Sequence, residues 1–193
     1  MKSIAVYCGS SSGNNPLFTS MAVELGTLLV SEKISLVYGG AKVGLMGVIA
    51  DAVLNAGGNI VGVLPRFISR KEIAHDRLSE LILCETMHER KQIMYEMADG
   101  FIALPGGFGT LDELFEILTW QQLGLHQKPI GILNVDGFYN ALKSLFGTME
   151  SAQILKSENR SMALFEDDPQ RLLRLMKDYR PQAVPKWLDI SKT

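Results

Sequence analysis

The sequence predicts an α/β fold, a three-layer sandwich with a mostly parallel sheet and helices on both faces. Two observations predict it. Short, continuous apolar runs such as IAVYC, SLVY, IVGVL and PIGIL alternate with stretches whose apolar residues recur at helical spacing. Uninterrupted apolar strands are those buried on both faces, as in a parallel sheet covered by helices. The three most glycine-rich stretches, Gly9–Gly13, Gly39–Gly47 and Gly106–Gly109, each follow such a run. That is where an open parallel sheet keeps its ligand crevice, beyond the carboxyl ends of its strands.

Ser3–Cys8 reads as the first strand. Gly9–Asn15 is a turn, and Pro16 suits the opening of a helix that runs to about Lys33. Phe18, Ala22, Leu25 and Leu29 form its apolar stripe. Ser35–Tyr38 is a second strand ended by Gly39-Gly40, Leu45–Ala56 a helix stopped by Gly57-Gly58, and Ile60–Leu64 a third strand closed by Pro65. Arg66–Ser79 reads as a loop with a short helix. Leu81–Cys84 is a fourth strand, Met87–Asp99 a helix, and Gly100–Leu104 a fifth strand running into Pro105-Gly106-Gly107. Thr110–Leu125 is a helix and Pro129–Leu133 a sixth strand, with helices over Gly137–Met149 and Pro169–Tyr179. The layout is Rossmann-like. The expectation is one nucleotide-binding α/β domain over residues 1–193, with 181–193 as a C-terminal tail.

Composition narrows the class. Of 193 residues, 47% are apolar and 21% charged, as in ordinary globular proteins. A formal net charge of −2 argues against a general nucleic-acid binder. Cys8 and Cys84 belong to no CxxC pair and sit in apolar runs, which speaks against a disulfide scaffold or a zinc site and for a reducing compartment. The opening residues lack the apolar core of a signal peptide, and no run approaches the ~20 residues of a membrane span. The expectation is a cytoplasmic protein without membrane contact. His75, His88 and His126 show no metal-ligand spacing, so no metal site is expected.

The segment Pro105–Glu113, PGGFGTLDE, carries the strongest chemical signal. Glycines let backbone approach a ligand closely. Thr110 as N-cap with Glu113 three residues on would make a capping box, leaving the N–H groups of the helix start for an anion such as phosphate. Read alone, the segment is equally a strand–turn–helix corner whose Glu113 only caps its helix. It is neither a Walker loop nor GxGxxG. In TMHERK, Thr86 and Glu89 form another capping box. Arg90 and Lys91 then sit near a helix start, against the helix dipole, which points to a use such as holding a phosphate or a base. Gly39–Gly47, which includes the candidate contact Gly40, could wrap ribose or phosphate, or could simply pack a helix on the sheet. Gly9–Gly13 offers serine hydroxyls to an anion with the same ambiguity.

Together, MHERK, PGGFGTLDE, TWQQLGLHQKPIGILN and GFY resemble the Lonely Guy (LOG) family of cytokinin riboside 5′-monophosphate phosphoribohydrolases. Sequence comparison has often labelled members lysine decarboxylases. The resemblance implies hydrolysis of the N-glycosidic bond of a nucleoside 5′-monophosphate to free base and ribose 5-phosphate, a step of cytokinin biosynthesis. The base would be an N6-substituted adenine such as isopentenyladenine, with AMP as a further substrate. Arg90 and Glu113 match the catalytic pair. Lys91, Gly106, Gly107, Phe108, Gly109, Thr110, Leu111 and Asp112 match the substrate-binding stretch, and Glu72 and Thr119 match two further contacts. Asp112 stands where many members carry Glu, and IAHDRLSEL departs from the plant pattern near the base. No cofactor is implied, and the family site is completed across a homodimer. Two other readings fit the same scaffold: a non-catalytic nucleotide-binding or carrier protein, and a pure interaction protein.

Overall fold

The computed structural model describes residues 1–69 and 74–181. The predicted site residue Glu72 lies outside the described residues, as does nearly all of the predicted tail. β1 (Ser3–Tyr7) leads to α1 (Pro16–Ser31). The Asn15 side chain caps α1 by accepting a hydrogen bond from the Leu17 N–H, and Pro16 takes the first helical position, where its missing N–H is not needed. β2 (Ser35–Tyr38), α2 (Gly44–Asn55) and β3 (Ile60–Pro65) follow. The doubled glycine ends α2 as expected. Gly57 takes φ +77, its N–H bonds the Leu54 carbonyl, and the Gly58 N–H bonds that of Val53. This is a Schellman closure.

The chain continues through α3 (Arg66–Ser69), β4 (Glu80–Cys84), α4 (Met87–Met97), β5 (Phe101–Ala103), α5 (Phe108–Gln122) and β6 (Ile130–Leu133). It ends with α6 (Asn140–Ser151), α7 (Ser157–Arg160), β7 (Ala163–Glu166) and α8 (Pro169–Asp178). Among the described residues the strands form one sheet in the order β4-β3-β2-β1-β5-β6-β7, and every neighbouring pair is parallel.

Strand alternation divides the core. Ile4, Val6 and Cys8 join one cluster with residues of α1, α2 and α8, while Ala5 and Tyr7 join the other with residues of α4, α5 and α6. β1 is thus apolar on both faces because helices cover both, which makes a three-layer Rossmann-like sandwich. Among the described residues no helix is long and apolar enough to cross a membrane.

Three expectations need correction. β7 and α7 extend the fold beyond the six strands read from sequence. The predicted helix over Gly137–Met149 is instead a 3₁₀ turn, Val135–Gly137, followed by α6. Asp136 at φ +50 and Gly137 at φ +73 are left-handed and cannot belong to a right-handed helix. Finally, α5 begins at Phe108, not Thr110, which changes the reading of the site.

Candidate active site

The sheet order sets the crevice. β1 and β5 are neighbours, but the chain leaves β1 towards β2 and leaves β5 towards β6. Their following loops diverge, and such a switch point is where open α/β sheets bind ligands. Backbone bonds tie all three glycine-rich turns together there. The Gly9 N–H donates to the Pro105 carbonyl at 3.0 Å, and the Leu45 N–H donates to the Gly9 carbonyl at 3.1 Å.

The PGG turn is built for close approach. A Cβ on Gly106 would lie 2.1 Å from Thr110 Oγ1 and 2.9 Å from the Gly9 nitrogen, so no side chain fits. Gly107 is the N-cap of α5, in an extended conformation and with no side-chain cap bond. Around Gly107 and Gly109 there is open space, and Phe108 between them is 93% exposed. The first N–H groups of a helix have no partner within it, so this bare start presents free donors and the positive end of the helix dipole.

The capping box expected for Thr110 and Glu113 does not form. Glycine at 107 starts the helix three residues earlier, which puts Thr110 inside the first turn, buried against Gly106. Glu113 falls in the second turn, beyond the reach of the cap. Its carboxylate instead meets Arg90: Nη1 donates to Oε1 at 2.6 Å, with the side chains 11% and 8% exposed. Burial raises the Glu113 pKa, and Arg90 offsets this only in part.

Arg90 is held from several sides. In the TMHERK box, Thr86 Oγ1 accepts from the Glu89 N–H at 3.1 Å, and the Glu89 carboxylate reaches back to the Glu85 N–H at 2.7 Å. That fixes the start of α4 and puts Arg90 one turn in. Its Nε donates to the Val63 carbonyl within β3, at 3.2 Å. Its Nη2 lies against Gly39 at the end of β2. The next residue, Gly40, takes φ +76, and its carbonyl accepts from the His75 N–H.

Lys91 faces the same helix one turn away. Its ammonium bonds Asp112 at 3.2 Å and Glu116 at 3.0 Å, with the lysine side chain 10% exposed. Burial pulls its pKa down, but the two carboxylates outweigh that and leave it above the ordinary value. Leu111 packs into the α4–α5 side of the core. Beneath the pair, burial pushes the Cys8 thiol and the Tyr7 phenol well above their ordinary values, so neither is a nucleophile near neutral pH.

The structure thus brings together Arg90, Lys91, Asp112, Glu113 and the turn Gly106–Thr110, with Gly40 at the rim. It does not bring Thr119 to them. Thr119 lies on another flank of α5, its hydroxyl bonded to the Phe115 carbonyl, in an apolar groove of about 200 Å³ lined also by Phe115, Leu118, Phe146 and Met149. Sequence reasoning missed two residues. Glu116 was legible in principle, because Asp112 and Glu116 at i, i+4 share a helix face that can bracket one cation. Gly39 carried no signal to separate it from Gly40. Among the described residues no group of three or more His, Cys, Asp or Glu side chains could hold a metal ion.

A family model described as "Possible lysine decarboxylase" matches residues 46–176. A cytokinin riboside 5′-monophosphate phosphoribohydrolase of Arabidopsis thaliana is 44% identical over 181 residues, covering 94% of this chain and 85% of the relative. A probable enzyme of the same name from Oryza sativa subsp. japonica is 46% identical over 176 residues, covering 91% of this chain and 79% of the relative. Among solved structures, the molybdenum cofactor binding protein of Rippkaea orientalis superposes with a TM-score of 0.72 at 24% identity, covering 92% of this chain and 97% of that one. The molybdenum cofactor carrier protein of Chlamydomonas reinhardtii gives 0.68 at 20% identity, covering 91% and 96%. At such identities these two structures speak for the fold alone.

Proposed function

Since the chain belongs to the family of cytokinin riboside 5′-monophosphate phosphoribohydrolases, the Lonely Guy family, we propose that it hydrolyses the N-glycosidic bond of a nucleoside 5′-monophosphate. The products are the free base and ribose 5-phosphate. The base is adenine or an N6-substituted adenine such as isopentenyladenine. One observation carries the assignment of residues: the buried Arg90–Glu113 pair, 2.6 Å apart, beside a bare glycine-rich helix start at the switch point.

The chemistry follows from that arrangement. Breaking the bond between C1′ and the base nitrogen builds positive charge on the ribose, as in glycoside hydrolysis. The Glu113 carboxylate sits against that charge and takes a proton from the attacking water. Water oxygen bonds C1′ as the bond from C1′ to the base nitrogen breaks with its electron pair on the base; the base takes a proton from solvent, and Glu113 returns the water's proton to solvent. A carboxylate with a raised pKa is a better base near neutral pH than an ordinary one. Arginine is always charged and a poor proton donor, so Arg90 orients Glu113 and stabilises charge on the departing base. The N–H groups at Gly107–Thr110 hold the 5′-phosphate, and Lys91 adds a cation. The phosphate thereby supplies binding energy remote from the reacting carbon.

Thr119 supports assembly as a homodimer. It belongs with the substrate contacts by resemblance, yet within one chain it lies on a flank of α5 away from Glu113. A second copy whose α5 flank meets this crevice would unite its Thr119 with the rest of the site. The free thiols of Cys8 and Cys84 suit a reducing cytoplasm.

Chromatography of AMP and isopentenyladenosine 5′-monophosphate after incubation with the protein tests the reading. Free base appears, and the matching nucleosides without phosphate stay intact. Intact nucleotides after long incubation at high enzyme concentration overturn it, and tight nucleotide binding without turnover would favour a carrier.

A further inference from the structure

We infer that Gly39 is a positioning residue for Arg90, and that its missing side chain is the space in which the guanidinium sits. The inference rests on the functional reading above for its consequence in catalysis, but not for its geometry.

The two glycines at the end of β2 serve different ends. Gly40 sits at φ +76, where the backbone itself demands glycine. Gly39 is outside the left-handed region, so alanine fits its backbone. What alanine does not fit is the space. A Cβ there would lie 2.3 Å from Arg90 Nη2, 3.4 Å from Arg90 Cζ and 3.1 Å from Met46 Sδ. Ordinary contact needs about 3.5 Å, so Nη2 must retreat by about 1 Å. The obstructing atom ends a flexible side chain, so the fold yields easily while the site does not. Arg90 has little slack, because Nε is bonded to the Val63 carbonyl and Nη1 to Glu113. Nη2 makes no hydrogen bond to the described residues, which leaves its donors for a ligand. Moving the guanidinium off Gly39 therefore strains the Glu113 contact and misplaces the donors facing the substrate.

Gly39→Ala in the full chain tests this, with a readout independent of turnover. The Glu113 carboxyl is followed by ¹³C NMR titration and assigned by its loss in Glu113→Gln. The charged and titratable groups around it are Arg90 and Lys91 from α4, Asp112 from α5, and Tyr7 and Cys8 from β1 and its end. Of these, only Arg90 touches the new methyl. In Gly39→Ala, Glu113 titrates at higher pH than in the wild type, towards its position in Arg90→Ala. The melting temperature stays within about 4 °C of the wild type. kcat falls by about 10²-fold, as expected for a 1 Å misplacement, while KM stays within about threefold. An unchanged Glu113 titration overturns the inference. So does wild-type kcat in Gly39→Ala where Arg90→Ala has lost activity. Wild-type turnover in both Arg90→Ala and Glu113→Gln overturns the functional reading instead, and the titration still decides on Gly39. If Gly39→Ala does not fold, the double variant with Arg90→Ala decides. Stability equal to Arg90→Ala alone supports the inference, and failure to fold in that background overturns it.

Discussion

Arg90→Ala removes one partner of a buried ion pair, and the pH dependence of the damage follows from the structure. Glu113 is left 8% exposed with its cationic partner gone. Removing one member of a buried pair generally costs about 3–5 kcal/mol. The carboxylate has an escape, however, because it can take up a proton. Its ordinary pKa is 4.5, so protonating it at pH 7 spans about two and a half pH units at about 1.36 kcal/mol each. That caps the electrostatic loss at about 3.4 kcal/mol at pH 7 and about 0.7 kcal/mol at pH 5. The sign is that of a carboxyl raised on folding. Its penalty is absent below the unfolded pKa and grows as pH rises through 4.5 towards the folded value. Urea unfolding of the wild type, Arg90→Ala and Arg90→Ala/Glu113→Gln at pH 5 and pH 7 measures it. The single variant loses about 3 kcal/mol more at pH 7 than the double variant, and the gap nearly closes at pH 5. A pH-independent loss, or a double variant no better than the single at pH 7, would refute the reasoning.

Glu113→Gln keeps the shape and a hydrogen-bond acceptor for Arg90. It leaves the Arg90 cation, 11% exposed, without its counter-charge, so it destabilises by about 1–3 kcal/mol while base release falls by about 10³-fold; chemical unfolding and a chromatographic time course check both. Gly106→Ala forces a methyl against Thr110 and the Gly9 backbone, where nothing flexible can yield. It destabilises by about 1–3 kcal/mol and raises the KM for nucleotide, seen by denaturation and initial rates, whereas an unaffected KM would remove the turn from phosphate binding. Mixing Glu113→Gln with Thr119→Arg, each inactive alone, restores about a quarter of wild-type turnover if the site spans two copies in a closed dimer. No recovery would place each site within one chain.

Much of the fold was legible because its strands are buried on both faces and bounded by glycine or proline. β1, β2, β3 and β6 fall within a residue or two of their predicted limits for that reason. β7 was not legible, because Ala163–Glu166 is a short edge strand, only partly buried beyond Ala163, and its brief apolar run MALF lies between polar residues with no adjoining glycine or proline to mark its ends. At the site, Arg90, Lys91 and Glu113 could be named from motif. Their relation could not, because capping logic placed Glu113 in a box with Thr110. A glycine cap has no side chain to read, so the helix start slipped by one turn's worth of roles, and the ion pair with α4 became visible only once the sheet had set the two helices side by side. Gly39 is the extreme case, since its part depends wholly on a side chain 51 positions away.

The placement of β1 has a further consequence, for the chain as it is made. β1 occupies the middle of the sheet, paired with β2 on one side and with β5 on the other, where Ala5 aligns with Phe101. A chain emerging from the ribosome can zip β1 to β4 in order, but β1 then waits with one edge unpaired until β5 arrives. Over that interval it is an apolar strand with open hydrogen-bonding groups, the kind of edge that recruits other chains. The strand pairing that closes this edge is also the one that creates the crevice. Aggregation risk during synthesis and the formation of the crevice are therefore settled by the same late event.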